Sequence, residues 1–106
     1  MISRQWRGMA RPEQAAAYEL HLLTATFPAL QSIAGFVDAT LLRRSVPGGV
    51  EFLVVTQWTS LSAIQRFAGA DAEAAVVPEA VQAMMLDYDR RARHFEVVGR
   101  WRAAQP

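Results

Sequence analysis

The chain has 106 residues, a length that suits a single folded domain. Its 11 basic residues, all arginine, face 10 acidic residues, and a formal net charge of +1 does not indicate a nucleic-acid or acidic-membrane partner. The absence of lysine and cysteine excludes lysine Schiff bases, disulfides, thiol nucleophiles and cysteine-bound metals. No signal peptide or bilayer-length apolar run is visible, so we expect a soluble, cytoplasmic protein.

The N-terminal third predicts a strand and then a helix. The strand covers about Ile2 to Met9. The helix runs from about Pro12 to Thr26, and Pro28 prevents it from continuing. This helix carries two apolar stripes on nearly opposite sides. The first stripe comprises Ala16, Leu20, Leu23 and Phe27, and the second comprises Tyr18, Leu22 and Ala25. A helix that is apolar on two sides needs two contacts, namely its own sheet and either a partner subunit or a ligand.

The middle of the chain predicts a β-hairpin. Residues 36–46 and 50–58 read as two antiparallel strands, and the sequence Val-Pro-Gly-Gly between them is typical of a tight turn. The run Phe-Leu-Val-Val at 52–55 is apolar at every position. A strand of this kind is expected to be covered on both faces of its sheet.

The C-terminal half predicts shorter elements. In order, we expect a helix capped by Ser60 or Thr59 and ended by Gly69, a short helix over 71–77 broken at Pro78, a further turn within 79–86, and a last strand over 91–101. Residues 1–102 then form one domain, and 103–106 a loose tail.

This order of elements predicts a ferredoxin-like α+β fold of the split β-α-β type. Helices cover one face of a four-stranded antiparallel sheet. The other face would be bare in a monomer, and soluble monomers seldom expose a large apolar patch. We therefore expect a homodimer in which two sheets pack face to face.

Several stretches resemble the antibiotic biosynthesis monooxygenase family of dimeric α/β-barrel proteins. These are Ile-x-Arg-x-Trp-Arg-Gly from Ile2, Gly35 to Arg44, Glu51 to Gly69 and His94 to Val98. The resemblance covers nearly the whole chain and implies the ferredoxin-like fold and the sheet-to-sheet dimer. Members of this family include cofactor-free oxygenases, which convert anthrone-like aromatics to quinones, and enzymes that degrade haem.

The resemblance also suggests which positions carry chemistry. Haem-degrading members use an amide on the first strand, a tryptophan on the second helix and a histidine ligand beyond it. The amide position falls at or near Gln5, the tryptophan position at Phe67, and the histidine region at 74–76, which holds Ala-Ala-Val. With no ligand at 74–76, the pattern predicts neither haem nor another cofactor, and no histidine spacing indicates a metal site.

The candidate catalytic residues are His94 and Gln5, and a pocket is predicted from Tyr18, Leu22, Trp58 and Phe67. Each candidate has a structural alternative. His94 suits a strand edge or dimer contact, Tyr18 and Leu22 suit core packing, and Trp58 suits the corner between the third strand and the next helix. His21 is interpreted as a surface residue. Alternation along the first strand leaves open whether Gln5 or Trp6 faces the helices.

Three functions are consistent with these residues. The first is a cofactor-independent monooxygenase that acts on a small aromatic or polyketide-like molecule, with His94 or Gln5 positioning the substrate oxygen. The second is a non-catalytic dimeric module that binds a small hydrophobic molecule or serves a structural role. The third is a proton-transfer enzyme such as an isomerase, for which turnover would not need oxygen.

Overall fold

The computed structural model describes residues 1–104 and shows an antiparallel sheet with short helices on one face. The strands are β1 (Ile2–Ala10), β2 (Phe36–Val46), β3 (Gly49–Trp58), β4 (Met85–Tyr88) and β5 (Arg93–Glu96). The helices are α1 (Ala15–His21), α2 (Phe27–Gln31), α3 (Leu61–Ala68) and α4 (Glu79–Gln82). This architecture confirms the predicted ferredoxin-like α+β fold. Among the described residues, no helix is long and apolar enough to cross a membrane.

The centre of the sheet is β1, which pairs with β3 along its whole length. Along its other edge β1 pairs with β4 near its end and with β5 near its start. Strand β2 pairs with the outer edge of β3, so the order is β2-β3-β1-β4, with β5 also beside β1. The predicted hairpin is confirmed: β2 and β3 are joined at Val46 and Gly49, with Gly48 at a positive φ of 83°. Glycine adopts this φ without steric cost, as the turn requires.

The contacts of the β1 side chains show which of its residues face the helices. Trp6 lies 6.4 Å from the ring of Tyr18 on α1, and Arg4 lies over the ring of Phe67 on α3. Gln5 points to the opposite face, where its amide donates to Ser3 on the same strand. The helix-facing side of β1 therefore carries Arg4 and Trp6, and the bare face carries Gln5.

The first helix differs from its prediction because it does not end at Pro28. It begins as a tight turn at Pro12–Gln14, passes from α1 into a wide π-type segment at Leu22–Thr26, and resumes as α2. Within the wide segment, the backbone N–H of Phe27 bonds to the carbonyl of Leu22, five residues earlier. The wider turn accommodates Pro28, which has no N–H and would clash inside a regular α-helix.

The buried face of this helix follows the second predicted stripe only in part, because Ala25 is exposed and Phe27 of the first stripe packs against the core. Tyr18 and Leu22 are buried, whereas Leu20 and Leu23 are each 61% exposed. The reason is tertiary: the ring of Tyr18 meets Phe52 of β3 edge-on at 4.9 Å. Because both stripes satisfied the same helical period, periodicity could not rank them.

The predicted helix over 71–77 is wrong. This stretch forms a turn and an isolated bridge between Ala74 and Arg91. The backbone N–H of Ala75 bonds to the carbonyl of Arg90, and the N–H of Ala92 bonds to the carbonyl of Glu73. These bonds to a distant segment replace the hydrogen bonds of a local helix.

The predicted last strand, over 91–101, is also wrong in its bounds. Two short strands, β4 and β5, share the edge of β1 instead. The second one ends at Glu96 because its partner is Ile2, at the start of β1, and little backbone remains to pair with. Within 79–86, the predicted extra turn is α4, followed by the start of β4. The predicted loose tail, 103–106, lies in part outside the described residues.

Two buried apolar clusters fill the space between the sheet and the helices. One is centred on Phe52 and Tyr18, and the other on Trp58 and Ile64. Phe27 packs against both. The gap between these clusters, at the middle of the sheet, positions the site described below.

Replacement of Gly35 by alanine should destabilise the fold more than the same change at Gly48. Both glycines have positive φ, which costs other residues about 1–2 kcal/mol. A Cβ at Gly35 would also overlap the Cβ of Ala63 and lie 2.8 Å from the hydroxyl of Thr59, whereas one at Gly48 meets open space. Overpacking adds about 1–3 kcal/mol. Urea denaturation of Gly35→Ala and Gly48→Ala measures the difference, and equal losses of stability would contradict this packing.

Candidate functional site

A cleft opens between the sheet and the helical layer, and it holds about 600 Å³ of empty space including its open mouth. Its aromatic walls are Trp6, Tyr18, Phe27 and Phe67, and its polar lining residues are Arg4, His21, Thr26 and Thr56. The rest of its lining is aliphatic or proline. A second hollow shares six of these lining residues and continues the cleft outward past Ala25 and Ala29. The cleft suits a flat apolar molecule with few polar atoms.

Arg4 is the charged group at the bottom of the cleft, and it is only 5% exposed. Its Nη1 donates to the carbonyl oxygen of Ala72, and its Nη2 donates to that of Ala74 at 2.9 Å. Its guanidinium carbon lies 5.7 Å from the ring centre of Phe67. Burial lowers the pKa of Arg4 and the charge of Glu73 opposes this effect, but an arginine in a protein keeps its charge.

His94 contacts Arg4 and is not part of the cleft lining. Its Nε2 lies 2.9 Å from Arg4 Nη1, and because a guanidinium has no acceptor, His94 accepts this bond with an unprotonated Nε2. Burial and the charge of Arg4 lower the pKa of His94, with Glu73 opposing, which favours this neutral form. The nitrogen that would serve as a base is therefore occupied by Arg4.

Of the four predicted pocket residues, the structure brings three together. Tyr18, Leu22 and Phe67 line the cleft. Burial raises the pKa of Tyr18, so its hydroxyl stays protonated and can donate to a ligand. The structure gives this hydroxyl no partner within residues 1–104.

Trp58 lies behind the cleft wall and does not line it. It is fully buried, its indole N–H donates to the hydroxyl of Thr56 at 2.8 Å, and its ring stacks on Phe67 at 6.0 Å. Trp58 therefore supports Phe67 from behind. This placement corrects its predicted role as a pocket residue, because the whole ring is used in packing.

Gln5 is separated from the cleft by the sheet itself, since it lies on the bare face. A direct role in the cleft, as predicted from the amide position of the resemblance, does not fit this geometry. The prediction failed because counting along the chain is uncertain by one residue, and one residue changes the face of a strand.

Arg4 and His21 are the two lining residues with chemically active side chains that the sequence did not assign to the pocket: Arg4 was given no role there, and His21 was interpreted as a surface residue. Arg4 shares a strand face with Ile2 and Trp6, and a charge between two large apolar residues on one face is the signal that could have identified it. His21 follows Tyr18 by three positions and so lies on the same side of the helix. Within residues 1–104, no three histidine or acidic side chains cluster as metal ligands would.

The sequence matches the family model described as antibiotic biosynthesis monooxygenase over residues 1–85. No curated protein sequence matches this chain. Solved structures share its fold. One, assigned to the antibiotic biosynthesis monooxygenases of Bacillus cereus, has a TM-score of 0.68 at 16% identity, over 99% of this chain and 98% of that one.

Two further structures agree over similar lengths. MhuD of Mycobacterium tuberculosis, a heme-degrader with two hemes bound in its active site, has a TM-score of 0.61 at 24% identity, over 95% of this chain and 99% of that one. A protein of Deinococcus radiodurans assigned to the same monooxygenases has a TM-score of 0.66 at 14% identity, over 99% of this chain and 100% of that one. These TM-scores establish the shared fold, and the family match establishes membership: the chain belongs to the antibiotic biosynthesis monooxygenase family.

Proposed function

We propose that this protein is a cofactor-independent monooxygenase that oxidises a small aromatic or polyketide-like molecule. The observation that carries this proposal is the cleft itself, in which four aromatic rings, those of Trp6, Tyr18, Phe27 and Phe67, line a space between sheet and helices. Aromatic rings bind flat apolar molecules through area and stacking. The position of the cleft also matches the usual place of ligand sites, in a concave gap between structural layers.

The reaction needs a base, an electron-rich anion and dioxygen. An anthrone illustrates the balance: its acidic C–H loses a proton, and the carbanion donates electrons to dioxygen and forms a C–O bond. The resulting hydroperoxide loses its remaining C–H proton, the O–O bond breaks, and water leaves as the carbonyl forms. One anthrone and one dioxygen give one quinone and one water.

His21 is the residue best placed to accept the first proton. It lines both the cleft and its outward continuation, and an imidazole can accept a proton near neutral pH. The hydroxyl of Tyr18 can donate to a substrate oxygen. His94 and Gln5 are the residues first expected in these roles. His94 instead contacts Arg4, and Gln5 lies on the bare sheet face.

A second candidate is a non-catalytic module that binds the same class of molecule. The favouring observation is that, in the described part of the chain, the cleft lining contains no carboxylate, so His21 has no acidic partner to orient it there. Both candidates bind an aromatic ligand, and only the first consumes oxygen.

Oxygen uptake with a panel of anthrones and quinols, without added cofactor, tests the enzyme proposal. We expect one dioxygen per anthrone, with quinone and water as products and no hydrogen peroxide. Turnover that persists without oxygen would indicate the proton-transfer alternative. Binding without oxygen uptake across the panel would contradict the monooxygenase proposal and support the binding module.

The variant His21→Asn should lower kcat by roughly 100-fold or more, because general-base catalysis typically contributes that much. Asparagine retains much of the polar shape and removes the basic nitrogen. The matched control is Leu20→Asn, since Leu20 is the neighbouring residue and faces solvent. Equal kcat values for the two variants would remove His21 from the mechanism.

We also propose that the bare sheet face forms a homodimer. Leu53 and Val55 of β3 are half-buried there, beside Leu42 and Phe95, which are 49% and 45% exposed. At one end of this face, Glu51 pairs with Arg7 at 2.6 Å and with Arg44. An apolar strip with ion pairs at its border is a surface that a second copy can match through two-fold symmetry.

The dimer proposal predicts a particle of about twice the 11.8 kDa chain mass by sedimentation. Leu53→Arg should give a folded monomer, because a dimer would bury its charge without a partner. Leu20→Arg places the same charge on the exposed helix surface and should leave the dimer intact. A wild-type protein that sediments as a monomer at micromolar concentration would refute the proposal.

A further inference from the structure

The buried guanidinium of Arg4 has no acidic partner. Within residues 1–104 the five salt bridges involve other arginines, and Arg4 is held by the carbonyl oxygens of Ala72 and Ala74 and by His94. A buried charge is costly unless an opposite charge or several hydrogen bonds compensate it. Three hydrogen bonds and the nearby charge of Glu73 support the guanidinium, but no salt bridge of the described residues neutralises its positive charge in the cleft.

The hydrogen bonds of Arg4 are also incomplete. A guanidinium has five N–H groups, and three are used by Ala72, Ala74 and His94. The structure gives the Nε–H and the second hydrogen of Nη2 no partner in the described part of the chain. Since Arg4 lines the cleft, a ligand oxygen there can meet both the charge and unused donors.

We propose that Arg4 is the anion-binding residue of the cleft, and that the natural ligand is a planar aromatic molecule with one acidic oxygen. The aromatic rings would hold the ring system, and Arg4 would bind the phenolate, enolate or carboxylate oxygen. This deepens the proposed function and rests on it in taking the cleft as the substrate site. Stabilisation of a deprotonated substrate is what an oxidation without a cofactor requires.

His94 has a supporting part in this arrangement as a positioning residue. It faces Arg4 across the β1–β5 pair and fixes Nη1 by accepting its hydrogen bond. The backbone of the 72–74 turn fixes the other side of the guanidinium. A guanidinium held on two sides presents its remaining donors in one direction, so little freedom is lost when an anion binds.

A purely structural role for Arg4, tying the 72–74 turn to β1, makes a different prediction. A structural clamp would affect stability and leave the cleft without preference for charge. The comparison of two ligands of nearly equal shape therefore separates the two roles, and it needs no variant.

The experiment is an anaerobic calorimetric titration of wild-type protein with anthraquinone-2-carboxylate and with anthraquinone-2-carboxamide. We expect the carboxylate to bind roughly 10- to 100-fold more tightly, the range for a hydrogen bond to a charged group in a buried site. Equal affinities, tighter binding of the amide, or no binding of either ligand would overturn the proposal.

Variants then assign the effect to residues. Arg4→Gln should abolish the preference for the carboxylate, and Arg4→Lys, which keeps the charge, should retain part of it. Arg102→Gln removes the same charge from an exposed position and should change nothing. His94→Phe should weaken carboxylate binding selectively, and His94→Gln, which keeps an acceptor, should restore it. A charge preference unchanged in Arg4→Gln would place the anion site elsewhere and overturn the proposal.

The calorimetric test of the anion site and the oxygen-uptake test of the monooxygenase function can fail independently. Neither anthraquinone ligand is oxidised in the proposed reaction, so a charge preference without oxygen uptake from any anthrone keeps the anion site and removes the monooxygenase function. Oxygen uptake without a charge preference keeps the function and removes the anion site.

Discussion

The two-residue alternation of β1 is the constraint on which the rest of the site depends. Because β1 is paired on both edges, its register is fixed, and Arg4 and Trp6 must face the helical layer. A shift by one residue would place Gln5 in the cleft and the guanidinium on the bare face. The central strand thus decides both the polarity of the cleft and the composition of the opposite face.

Around this strand, the apolar clusters leave a gap instead of closing into one core. Trp58 stacks behind Phe67 and supports one wall, while Phe52 packs against the ring of Tyr18 and supports the other. The wide turn at Leu22–Thr26 lets the helix continue past Pro28 and cover the gap. The two aromatic walls are therefore supported by Trp58 and Phe52, which do not line the cleft.

The segment after α3 shows how this chain differs from the haem-degrading members that it resembles. The resemblance implies a haem ligand near 74–76 in those members, and this chain has there Ala-Ala-Val, with no side chain able to bind iron. Here the backbone of the same segment holds Arg4, through the carbonyl oxygen of Ala74. In this chain the backbone of that turn supports the guanidinium of Arg4, which lines the cleft.

The sequence by itself determined the fold class, the hairpin with its glycine turn and a helix capped by Ser60 or Thr59, because period, turn chemistry and capping are local properties; the structure shows Ser60 as the cap. It also placed Tyr18, Leu22 and Phe67 near one another. Tertiary structure alone decided which side chains of the first helix are buried, that 73–75 pairs with 90–92 instead of forming a helix, and which face of β1 meets the helices. These outcomes depend on contacts between residues far apart in the chain, such as Arg4 with His94, and no local pattern contains their energies.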